Sequence, residues 1–567
     1  MSKGLTSGRG LMRGMILAAG YGTRLAPITD HIPKPLLPVG DRPLLDRIIA
    51  SFDRAGVYEL AVNTHHLGDQ IIEYLGQRPD ADRFTLFPET EIMGTGGALD
   101  GAREFLSRGD FFLLHNGDVL CEVDFVALAT EHQSSGALAT ILLVDWPDVN
   151  SVVMAEDGRA LSIAGQPVGA ADLPGRRLTY AGVGAFSTRL LDEIGPGFSS
   201  LIDPLIKAMK ADPDCVRGFH RPGIRWDDLG TLPRLLLGQP ESLSRDLREG
   251  FPVGSSGGAS GVLPVSPARL ERITGHGSDR RFWRIQTRNW SAVAMQNPPE
   301  DSEFRRQVEI GEFLRAHDLG APETLSVHED EQVLLTEDLG SVRLYEKATD
   351  SAVEAAPFYD QAVDNLLRLQ TITERAASEC PLAVDRSLDH AALRWETGYF
   401  RDHFLTGHLN LLPESIEGLD AEFETLATVV ASQPQVLIHR DFQAQNIHVT
   451  AGAIRLVDFQ GMRLGPLGYD AASLIFDPYV DLGPEERSRL LDRFAGRSGS
   501  AFGLQSHEVR AMVLSAALQR LMQALGAFGF LGHVKQKHEF LTHIPAGVAR
   551  LDEVQELIDN CEPNRWL

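Results

Sequence analysis

Cysteine is scarce in this sequence. Its 567 residues include four cysteines, Cys121, Cys215, Cys380 and Cys561, which are scattered and show no metal-ligand spacing. A disulfide framework needs paired cysteines in an oxidising compartment, and a cysteine-based zinc site needs clustered ones. The sequence therefore predicts reduced thiols and favours a cytoplasmic location.

Positive charge is also in short supply. Lys and Arg together number 53, against 78 Asp and Glu, and the formal net charge is −25. Nucleic-acid backbones require clustered cations, so we expect this acidic chain to bind neither DNA nor RNA. Free nucleotides need only a local basic pocket, and the charge balance leaves them as candidate ligands.

Long apolar runs are missing as well. No run approaches the roughly 20 residues that cross a bilayer. The first dozen residues lack the apolar centre of a secretory signal peptide. We therefore expect neither membrane association nor secretion.

The length leaves room for several folded domains. At about 150 residues per domain, the chain is long enough for two to four of them. A Gly/Ser-rich stretch at 250–261 is typical of a flexible linker. We place the linker at 241–264, between an N-terminal domain at 13–240 and a C-terminal domain at 265–567.

Apolar segments alternate with helical patterns in the first domain. Residues 15–19 and 60–62 have the composition of buried strands, and apolar residues between 44 and 52 recur at helical spacing. This alternation predicts an α/β domain with a mainly parallel sheet. Ligands of such sheets bind beyond the carboxyl ends of the strands, so residues that directly follow apolar runs are the candidate site residues.

A glycine-rich loop follows the first predicted strand. Its candidate nucleotide-binding residues are Ala19, Gly20, Gly22 and Thr23. Glycine lets the backbone come close to a ligand, and the freed N–H groups can point at phosphate oxygens. Arg24 and Lys34 add two cations, and neighbouring prolines hold Lys34 in place. These features predict a site for a nucleoside triphosphate whose β- and γ-phosphates leave as pyrophosphate.

The whole string from Gly20 to Lys34 closely resembles the signature of the sugar-1-phosphate nucleotidylyltransferases. Residues 13 to about 240 resemble the short bacterial members that act on N-acetylmuramate 1-phosphate. The resemblance implies a Rossmann-like fold and transfer of UMP from UTP to a sugar 1-phosphate. It gives Arg24 and Lys34 a catalytic role, in which they offset the negative charge that develops during transfer.

Two acidic motifs complete the expected first site. Asn116-Gly117-Asp118 directly follows a buried apolar run, and carboxylate oxygens suit Mg²⁺. In the resembling enzymes a second Asp from a late motif joins the first on the metal, and here that residue is Asp228. Asp227 is an additional acid to which we assign no role. The attacking phosphate is already anionic, so the transfer requires no side-chain nucleophile.

The resemblance also implies contacts with the base and the sugar. The Gly-Thr-Gly-Gly segment at 94–97 would lie against the nucleotide, and the segment at 179–182 would contact the sugar. The implied residues are Glu89, Gly94, Gly96 and Gly97 for the nucleotide, and Asn116, Asn150, Tyr180 and Gly182 for the sugar.

Two acidic loops mark the second half of the chain. Asp441 precedes Asn446 by the spacing of a kinase catalytic loop, and Asp458 follows a short apolar run. This arrangement puts a base and metal ligands on neighbouring loops. We expect Asp441 to orient and deprotonate an acceptor hydroxyl, while Asn446 and Asp458 hold Mg²⁺ on the phosphates of ATP.

These loops resemble those of the aminoglycoside-phosphotransferase-like kinases. Gly-Ser-Asp at 277–279 and Asp-Phe-Gln at 458–460 narrow the resemblance to the anomeric kinases for N-acetylmuramate and N-acetylglucosamine. The resemblance implies that Gly277 and Ser278 cover the ATP phosphates. It places Glu337 in the hinge that meets adenine.

The implied fold of this half is a protein-kinase-like, two-lobed α+β domain, with lobes at about 265–340 and 341–567. The strand lysine that grips the ATP phosphates in protein kinases is missing, and Met295 or Gln296 occupies its region. Three arginines are candidate replacements, and the sequence does not choose among them: Arg280, Arg281 and Arg284.

In series, the two resemblances imply a bifunctional enzyme of cell-wall recycling. The kinase would make the sugar 1-phosphate with ATP, and the first domain would convert it with UTP, each with Mg²⁺. One alternative keeps this architecture and takes a heptose or choline with GTP or CTP. Another is a nucleotide-sensing fusion with one inactive half. The oligomeric state is not legible from the sequence.

Overall fold

The computed structural model describes residues 12–147, 149–166, 173–237, 263–273 and 279–561. The chain divides into two compact units between Gln296 and Asn297. Most of the predicted linker, and also Gly277 and Ser278, lie outside the described residues. The predicted domain limits stay a prediction.

The N-terminal unit contains sixteen of the described strands. They are β1 (Arg13–Leu17), β2 (Pro38–Val39), β3 (Arg42–Pro43), β4 (Glu59–Thr64), β5 (Phe84–Pro88), β6 (Phe111–Asn116), β7 (Leu120–Cys121), β8 (Ala139–Val144), β9 (Val152–Met154), β10 (Ala160–Ser162), β11 (Arg176–Ser187), β12 (Val216–His220), β13 (Trp226–Asp227), β14 (Ala268–Ile273), β15 (Arg281–Thr287) and β16 (Ser291–Gln296).

Nine of these strands form one mixed sheet. The path runs β10-β9-β11-β6-β1-β4-β5, with β8 and then β12 attached to β11. Strands β5, β4, β1 and β6 are parallel neighbours, whereas β11 runs antiparallel to both β6 and β8. The predicted mainly parallel sheet of an α/β domain is confirmed, and the antiparallel β11 is an addition that no apolar pattern had indicated.

The helices of this unit cover the sheet. They are α1 (Leu44–Arg54), α2 (Gly68–Gly76), α3 (Gly94–Gly101), α4 (Arg103–Leu106), α5 (Phe125–Ser135), α6 (Ile202–Ala211) and α7 (Leu232–Leu237). The apolar residues that predicted α1 are all buried on one face of it. Packing of that stripe against the sheet stabilises a helix whose capping residue, Pro43, makes no side-chain cap.

Strands β14, β15 and β16 run antiparallel in sequence order. In their register Arg281 faces Gln296 and Phe282 faces Met295. The Met295 side chain is buried and packs in the interior.

The C-terminal unit is dominated by helices. Its strands are β17 (Thr324–His328), β18 (Val333–Glu337), β19 (Gln435–Ile438), β20 (Ile447–Thr450), β21 (Ala453–Leu456) and β22 (Arg463–Pro466). Its helices are α8 (Glu303–Ala316), α9 (Leu344–Asp350), α10 (Ala352–Thr371), α11 (Thr373–Glu379), α12 (His390–Phe400), α13 (Pro413–Ile416), α14 (Leu419–Ala431), α15 (Tyr469–Ile475), α16 (Pro484–Phe502), α17 (Ser506–Gly529) and α18 (Ile544–Cys561).

One large core joins α8, α10, α15, α16 and α17 to the short hairpins. Phe442 and Phe459, which flank the two predicted catalytic loops, are fully buried in it. Phe442 directly follows Asp441, and Phe459 directly follows Asp458. Burial of the two rings therefore restricts the positions that the two acids can take.

One helical stretch is longer and more apolar than the sequence analysis expected. Ser506–Val534 has the length and composition of a membrane span, with a mean hydropathy of 1.2 in an 18-residue window. Of that window, 67% is buried inside the structure, which is the environment of a core helix. Cys121, Cys215 and Cys380 are buried free thiols.

Candidate active sites

The first site lies at the carboxyl end of β1. Leu17 is in register with Asn63 of β4 and with Asn116 of β6. The Gly117 N–H donates to the Leu17 carbonyl at 2.7 Å, and a Cβ on Gly117 would lie 2.7 Å from the same oxygen. Glycine is therefore required for the Asn-Gly-Asp turn to lie against the end of β1.

The glycine loop is folded back onto Lys34. Gly22 has a φ of 66°, and its carbonyl accepts a hydrogen bond from the Thr29 hydroxyl at 3.0 Å. A Cβ on Gly22 would lie 3.5 Å from the Lys34 Cβ. Thr23 begins a short 3₁₀ turn and is exposed, as is Gly20. The exposed backbone of this loop is available to a ligand, whereas the side chain of Ala19 is buried.

Asn63 links this loop to Glu89. Its Oδ1 accepts the Ala18 N–H at 2.8 Å, and its Nδ2 donates to the Glu89 carboxylate at 2.8 Å. The other Glu89 oxygen accepts the Met93 N–H at 2.9 Å. Both carboxylate oxygens thus hold backbone in position, directly or through Asn63. The sequence analysis named Glu89 but missed Asn63, whose place at the end of β4 was the available signal.

The predicted nucleotide glycines lie on α3. A Cβ on Gly94 or Gly96 would lie 2.5 Å from Ser199, and one on Gly97 would lie 2.6 Å from the Gly197 carbonyl. The three glycines therefore allow close packing of α3 against the 197–199 segment. Their predicted contact with the nucleotide stays a prediction.

Lys34 joins the two predicted metal-binding acids. Its side chain is only 5% exposed. Its Nζ donates to the Asp228 carbonyl at 2.6 Å and lies 3.3 Å from Asp118 Oδ2. Residues that are 84 and 194 positions away in sequence from Lys34 thus meet at one ammonium group. This convergence is the central geometric feature of the first site.

Asp228 is surrounded by donors. Its Oδ1 accepts from Arg234 at 2.6 Å and from the Gly230 N–H at 3.0 Å, and its Oδ2 lies 3.3 Å from Arg24. Burial alone raises the pKa of Asp228, but the hydrogen bonds from Arg234 and Gly230 outweigh it and leave the pKa below its usual value. The carboxyl is therefore an anion at neutral pH.

Asp227 has a structural role that the sequence did not indicate. Its Oδ1 accepts the Leu229 N–H at 2.8 Å and so closes the turn in which Leu229 has a φ of 42°. Burial raises the pKa of Asp227. We infer that Asp227 shapes the turn while Asp228 faces the cations.

Asp118 and Asp228 form a donor set that suits Mg²⁺. Both offer carboxylate oxygens, and the Asp118 side chain is 48% exposed. Mg²⁺ commonly takes one or two carboxylates and completes its shell with water and substrate phosphates. Among the described residues no group of three or more acidic, His or Cys side chains could form a complete cage. The pair therefore fits a metal that arrives with its nucleotide.

Asn116 and Gly182 are brought together by an irregularity in β11. The register of β11 against β8 shifts between Tyr180 and Gly184, and Gly182 has a φ of 71°. A Cβ on Gly182 would lie 2.6 Å from the Asn116 Nδ2. Such bulges occur beside active sites, where they redirect side chains.

We expect Gly182→Ala to destabilise the N-terminal unit by about 2–3 kcal/mol, because it combines a left-handed backbone with a clash against Asn116. Gly136→Ala is the matched control. Gly136 also has a positive φ, of 63°, but a Cβ there meets no atom within 4 Å. We expect this control to cost only about 1 kcal/mol. Thermal unfolding of both variants measures the difference, and equal losses would contradict the clash.

Among the described residues, neither Asn150 nor Tyr180 forms a hydrogen bond with Asp118 or Asp228. The Asn150 Oδ1 accepts from the Trp146 N–H at 3.0 Å and from the Thr179 hydroxyl at 2.9 Å. The Tyr180 hydroxyl is buried, makes no hydrogen bond to any residue that the structure describes, and has a pKa that burial raises. Their predicted contact with the sugar stays a prediction.

The second site is built on the loop after β19. The N–H groups of His439 and Arg440 donate to the Asp470 carboxylate at 2.5 and 2.9 Å. Burial raises the pKa of Asp470 to about 7 despite these donors. Arg440 has a φ of 79°, so the loop turns sharply just before Asp441. Asp470, on α15, thus fixes the backbone that presents the predicted base.

Asp441 is paired with Arg520 of α17. The Arg520 Nη2 lies 3.2 Å from Asp441 Oδ1 and 3.3 Å from Gln443 Oε1. Burial alone raises the pKa of Asp441, but Arg520 and Arg440 outweigh it and lower the pKa below its usual value. The sequence analysis missed Arg520, because 79 residues separate it from Asp441 and no motif joins the two.

Asn446 and Asp458 lie at neighbouring ends of the β20–β21 hairpin. The Val457 N–H donates to the Asn446 carbonyl at 3.0 Å, and the Asn446 Nδ2 donates to the Asp441 carbonyl at 2.9 Å. Asp458 has a φ of 63° and accepts from Gln460 at 2.7 Å. Their side-chain oxygens suit Mg²⁺, so the donor set again fits the metal.

Arg306 ties helix α8 to the segment after Asp458. It donates to the carbonyls of Gln460 at 2.9 Å and Met462 at 2.5 Å, and it forms an ion pair with Asp385. A Cβ on Gly311 of the same helix would lie 3.1 Å from the Phe459 ring. These contacts therefore hold the helix against the Asp-Phe-Gln segment.

We expect Arg306→Met to destabilise the C-terminal unit by about 3 kcal/mol, because it leaves three backbone carbonyls, of Leu382, Gln460 and Met462, and the partly exposed Asp385 carboxylate without their donor. The Arg306 side chain is 3% exposed, whereas that of Arg305 is 78% exposed. Arg305→Met is therefore the control, and we expect it to change stability by less than about 0.5 kcal/mol. Thermal unfolding checks both, and equal effects would contradict the anchoring role.

Glu337 is engaged away from the catalytic acids. Its carboxylate pairs with Arg455 of β21 at 2.5 and 3.0 Å, and its pKa is lowered because these hydrogen bonds outweigh burial. This pair holds the end of β18 against the β20–β21 hairpin. The predicted hinge role stays a prediction, as do the roles of Gly277 and Ser278 outside the described residues.

Two family models match the chain. The nucleotidyl transferase model matches residues 13–244, and the model of the phosphotransferase enzyme family matches residues 269–508. The chain is 33% identical over 232 residues to an N-acetylmuramate alpha-1-phosphate uridylyltransferase of Neisseria meningitidis. That match covers 40% of this chain and 95% of the relative.

Mannose-1-phosphate guanyltransferases are also similar. The chain is 37% identical over 153 residues to the mannose-1-phosphate guanyltransferase of Yarrowia lipolytica. That match covers 26% of this chain and 42% of the relative. It thus spans about two fifths of the length of the mannose-1-phosphate guanyltransferases it matches first. A solved putative glucose-1-phosphate thymidylyltransferase from Bacillus anthracis superposes with a TM-score of 0.35 at 24% identity, over 40% of this chain and 93% of that one.

Proposed function

Because the chain belongs to the nucleotidyl transferase family and also carries a domain of the phosphotransferase enzyme family, we propose that it is a bifunctional sugar-activating enzyme. The C-terminal half phosphorylates the anomeric hydroxyl of an N-acetylated amino sugar with ATP. The N-terminal half transfers UMP from UTP to the resulting sugar 1-phosphate. N-acetylmuramate is the first candidate sugar, since the Neisseria relative that is matched over 95% of its length acts on its 1-phosphate.

The observation that carries the proposal is that one chain contains two separate clusters of side chains suited to phosphate transfer. Lys34 contacts both Asp118 and the Asp228 backbone, and Asp441 lies in hydrogen-bond contact with Arg520 and Asn446. The kinase reaction makes the sugar 1-phosphate that is the substrate of the UMP transfer. A shared chain keeps the local concentration of the intermediate high.

In the kinase step, Asp441 accepts the proton of the anomeric hydroxyl as its oxygen bonds to the γ-phosphorus of ATP. The bond from that phosphorus to the β-phosphate oxygen breaks, and ADP leaves. Arg520 holds the Asp441 carboxylate in one orientation and keeps it ionised. The ionised carboxylate orients the hydroxyl and accepts its proton.

In the second step, an oxygen of the sugar 1-phosphate attacks the α-phosphorus of UTP, and pyrophosphate leaves. Lys34 and Arg24 offset the negative charge that builds on the phosphates. Mg²⁺ held by Asp118 and Asp228, and in the kinase site by Asn446 and Asp458, would supply further charge compensation. Both reactions draw on ATP and UTP, so we place the enzyme in the cytoplasm, in cell-wall recycling.

A substrate panel tests the proposal. The full chain is incubated with ATP, UTP, Mg²⁺ and one free sugar at a time, and products are separated by anion-exchange chromatography with mass detection. We expect a UDP-sugar with N-acetylmuramate or N-acetylglucosamine, with one ADP and one pyrophosphate released for each UDP-sugar. Absence of sugar phosphate with every N-acetylated amino sugar would refute the kinase assignment.

A second candidate acts on other substrates. The 37% identity to mannose-1-phosphate guanyltransferases favours GTP and a hexose 1-phosphate over this stretch. The same panel with GTP or CTP and with mannose, heptose or choline distinguishes it. If one half binds its nucleotide but neither half turns over, the chain is a nucleotide-sensing fusion instead.

A further inference from the structure

Besides Arg520, two more arginines lie close enough to Asp441 to lower its pKa, Arg440 and Arg463. Arg440 directly precedes Asp441 in the catalytic loop. Arg463 begins β22 and is in register with Ile438 of β19, two residues before Arg440. The antiparallel pairing of β19 and β22 therefore brings these two residues, which we call the arginine pair, to the same end of the ladder.

Among the described residues, the arginine pair has no carboxylate within 4.0 Å that it does not share with Arg520. Asp441 is the nearest carboxylate to Arg440, at 4.0 Å, and Arg520 already holds it at 3.2 Å. The Arg463 Nε donates to the Gly461 carbonyl at 2.9 Å, and within the described part of the chain Arg463 forms no ion pair. Glu396 also attracts Arg440 and Arg520, but burial raises the pKa of Glu396, and it forms no ion pair with any residue that the structure describes. Asp441 is thus the one carboxylate in the described part of the chain that lies within 4.0 Å of Arg440 or Arg520.

The neighbouring charges do not correct this imbalance. Arg386 lies beside β22, since the Leu464 N–H donates to its carbonyl, but its guanidinium pairs with Glu303 at 2.8 Å. Burial lowers the pKa of Arg463, and repulsion from Arg440 and Arg386 lowers it further. Both members of the arginine pair are half-buried, so each retains a face that a small ligand can reach.

We propose that the arginine pair binds a carboxylate on the acceptor sugar, an inference that rests on the proposed kinase function. A guanidinium presents a planar fork that matches a carboxylate, and a partly buried pair of this kind is strengthened by its surroundings. N-acetylmuramate carries a carboxylate on its lactyl ether, whereas N-acetylglucosamine lacks that group. The arginine pair therefore selects the acidic sugar over the neutral one.

The first test uses the unaltered enzyme. ADP release is measured with N-acetylmuramate, with its methyl ester and with N-acetylglucosamine. We expect kcat/KM for the ester to fall by about 10- to 100-fold below that for the acid, to the level of N-acetylglucosamine, since one charge-assisted contact is lost. Equal kcat/KM values for acid and ester would overturn the proposal.

The second test changes one arginine. We expect Arg463→Gln to lower kcat/KM for N-acetylmuramate by about 10- to 100-fold and that for N-acetylglucosamine by less than about threefold. Arg463→Lys should recover part of the selectivity. Arg305→Gln, on the exposed face of α8, is the control and should leave the ratio unchanged. An equal loss with both sugars would show that Arg463 serves the phosphoryl group and would overturn the proposal.

These outcomes separate the inference from the function on which it rests. If the unaltered enzyme phosphorylates neither sugar, the proposed function fails. If it phosphorylates both sugars with the same kcat/KM, the function stands and the selectivity by the arginine pair is wrong.

Discussion

Lys34→Met is expected to abolish UMP transfer while ATP-dependent sugar phosphorylation continues. Lys34 is buried and its ammonium contacts both the Asp118 carboxylate and the Asp228 backbone. Methionine keeps the length and apolar volume of the side chain but removes the charge. A positive charge in a water-poor site stabilises the transition state far more than the same charge on a surface. We therefore expect a loss of about 10³-fold in kcat.

The measurement supplies sugar 1-phosphate and UTP directly and follows pyrophosphate. Lys207→Met is the matched control. Lys207 lies on α6, its side chain is 74% exposed, and its ion-pair partner among the described residues is Glu193. We expect that variant to retain full activity. A Lys34→Met enzyme that kept a tenth of its transfer rate would show that the charge is supplied by another residue, and Arg24 would be the first to examine.

The second large effect is expected for Asp441→Asn in the kinase half. The amide cannot accept the acceptor proton, and it replaces the anion that faces Arg520 and Arg440. Loss of a general base costs about 10²- to 10⁴-fold, and we expect about 10³-fold here. UMP transfer to supplied sugar 1-phosphate should be unaffected, because the nucleotidyl transferase match ends at residue 244.

The readout is ADP release with free sugar, followed by UDP-sugar formation after sugar 1-phosphate is added. Asp402→Asn is the control, since Asp402 is an exposed acid paired with Arg401 in the same unit. Rapid phosphorylation by Asp441→Asn would remove the residue from the chemistry. Failure of both reactions in this variant would instead indicate a folding defect, which thermal unfolding would reveal.

The two variants together make a complementation experiment. Lys34→Met should accumulate sugar 1-phosphate from free sugar, and Asp441→Asn should consume it. Mixed in one tube, the two proteins should form UDP-sugar that neither makes alone.

Local patterns determined much of the N-terminal fold. Alternating apolar segments predicted the parallel strands, and the stripe of α1 predicted its buried face, because periodicity reports which side of an element meets a core. The turn at Gly117 and the loop at Gly22 follow from the need of the backbone for residues without a Cβ. The motif around Asp441 could likewise be recognised in the sequence, because its residues lie within a few positions of one another.

Only the tertiary structure decided which residues pair with the acids of the two sites. Arg234 and Arg520 pair with Asp228 and Asp441, yet neither lies in a motif that names its partner. Asp227 and Asp228 look equivalent in sequence, and the turn at Leu229 separates their roles. The charge around a carboxylate depends on which helices pack beside it, and packing joins residues whose separation in the chain leaves no periodic trace.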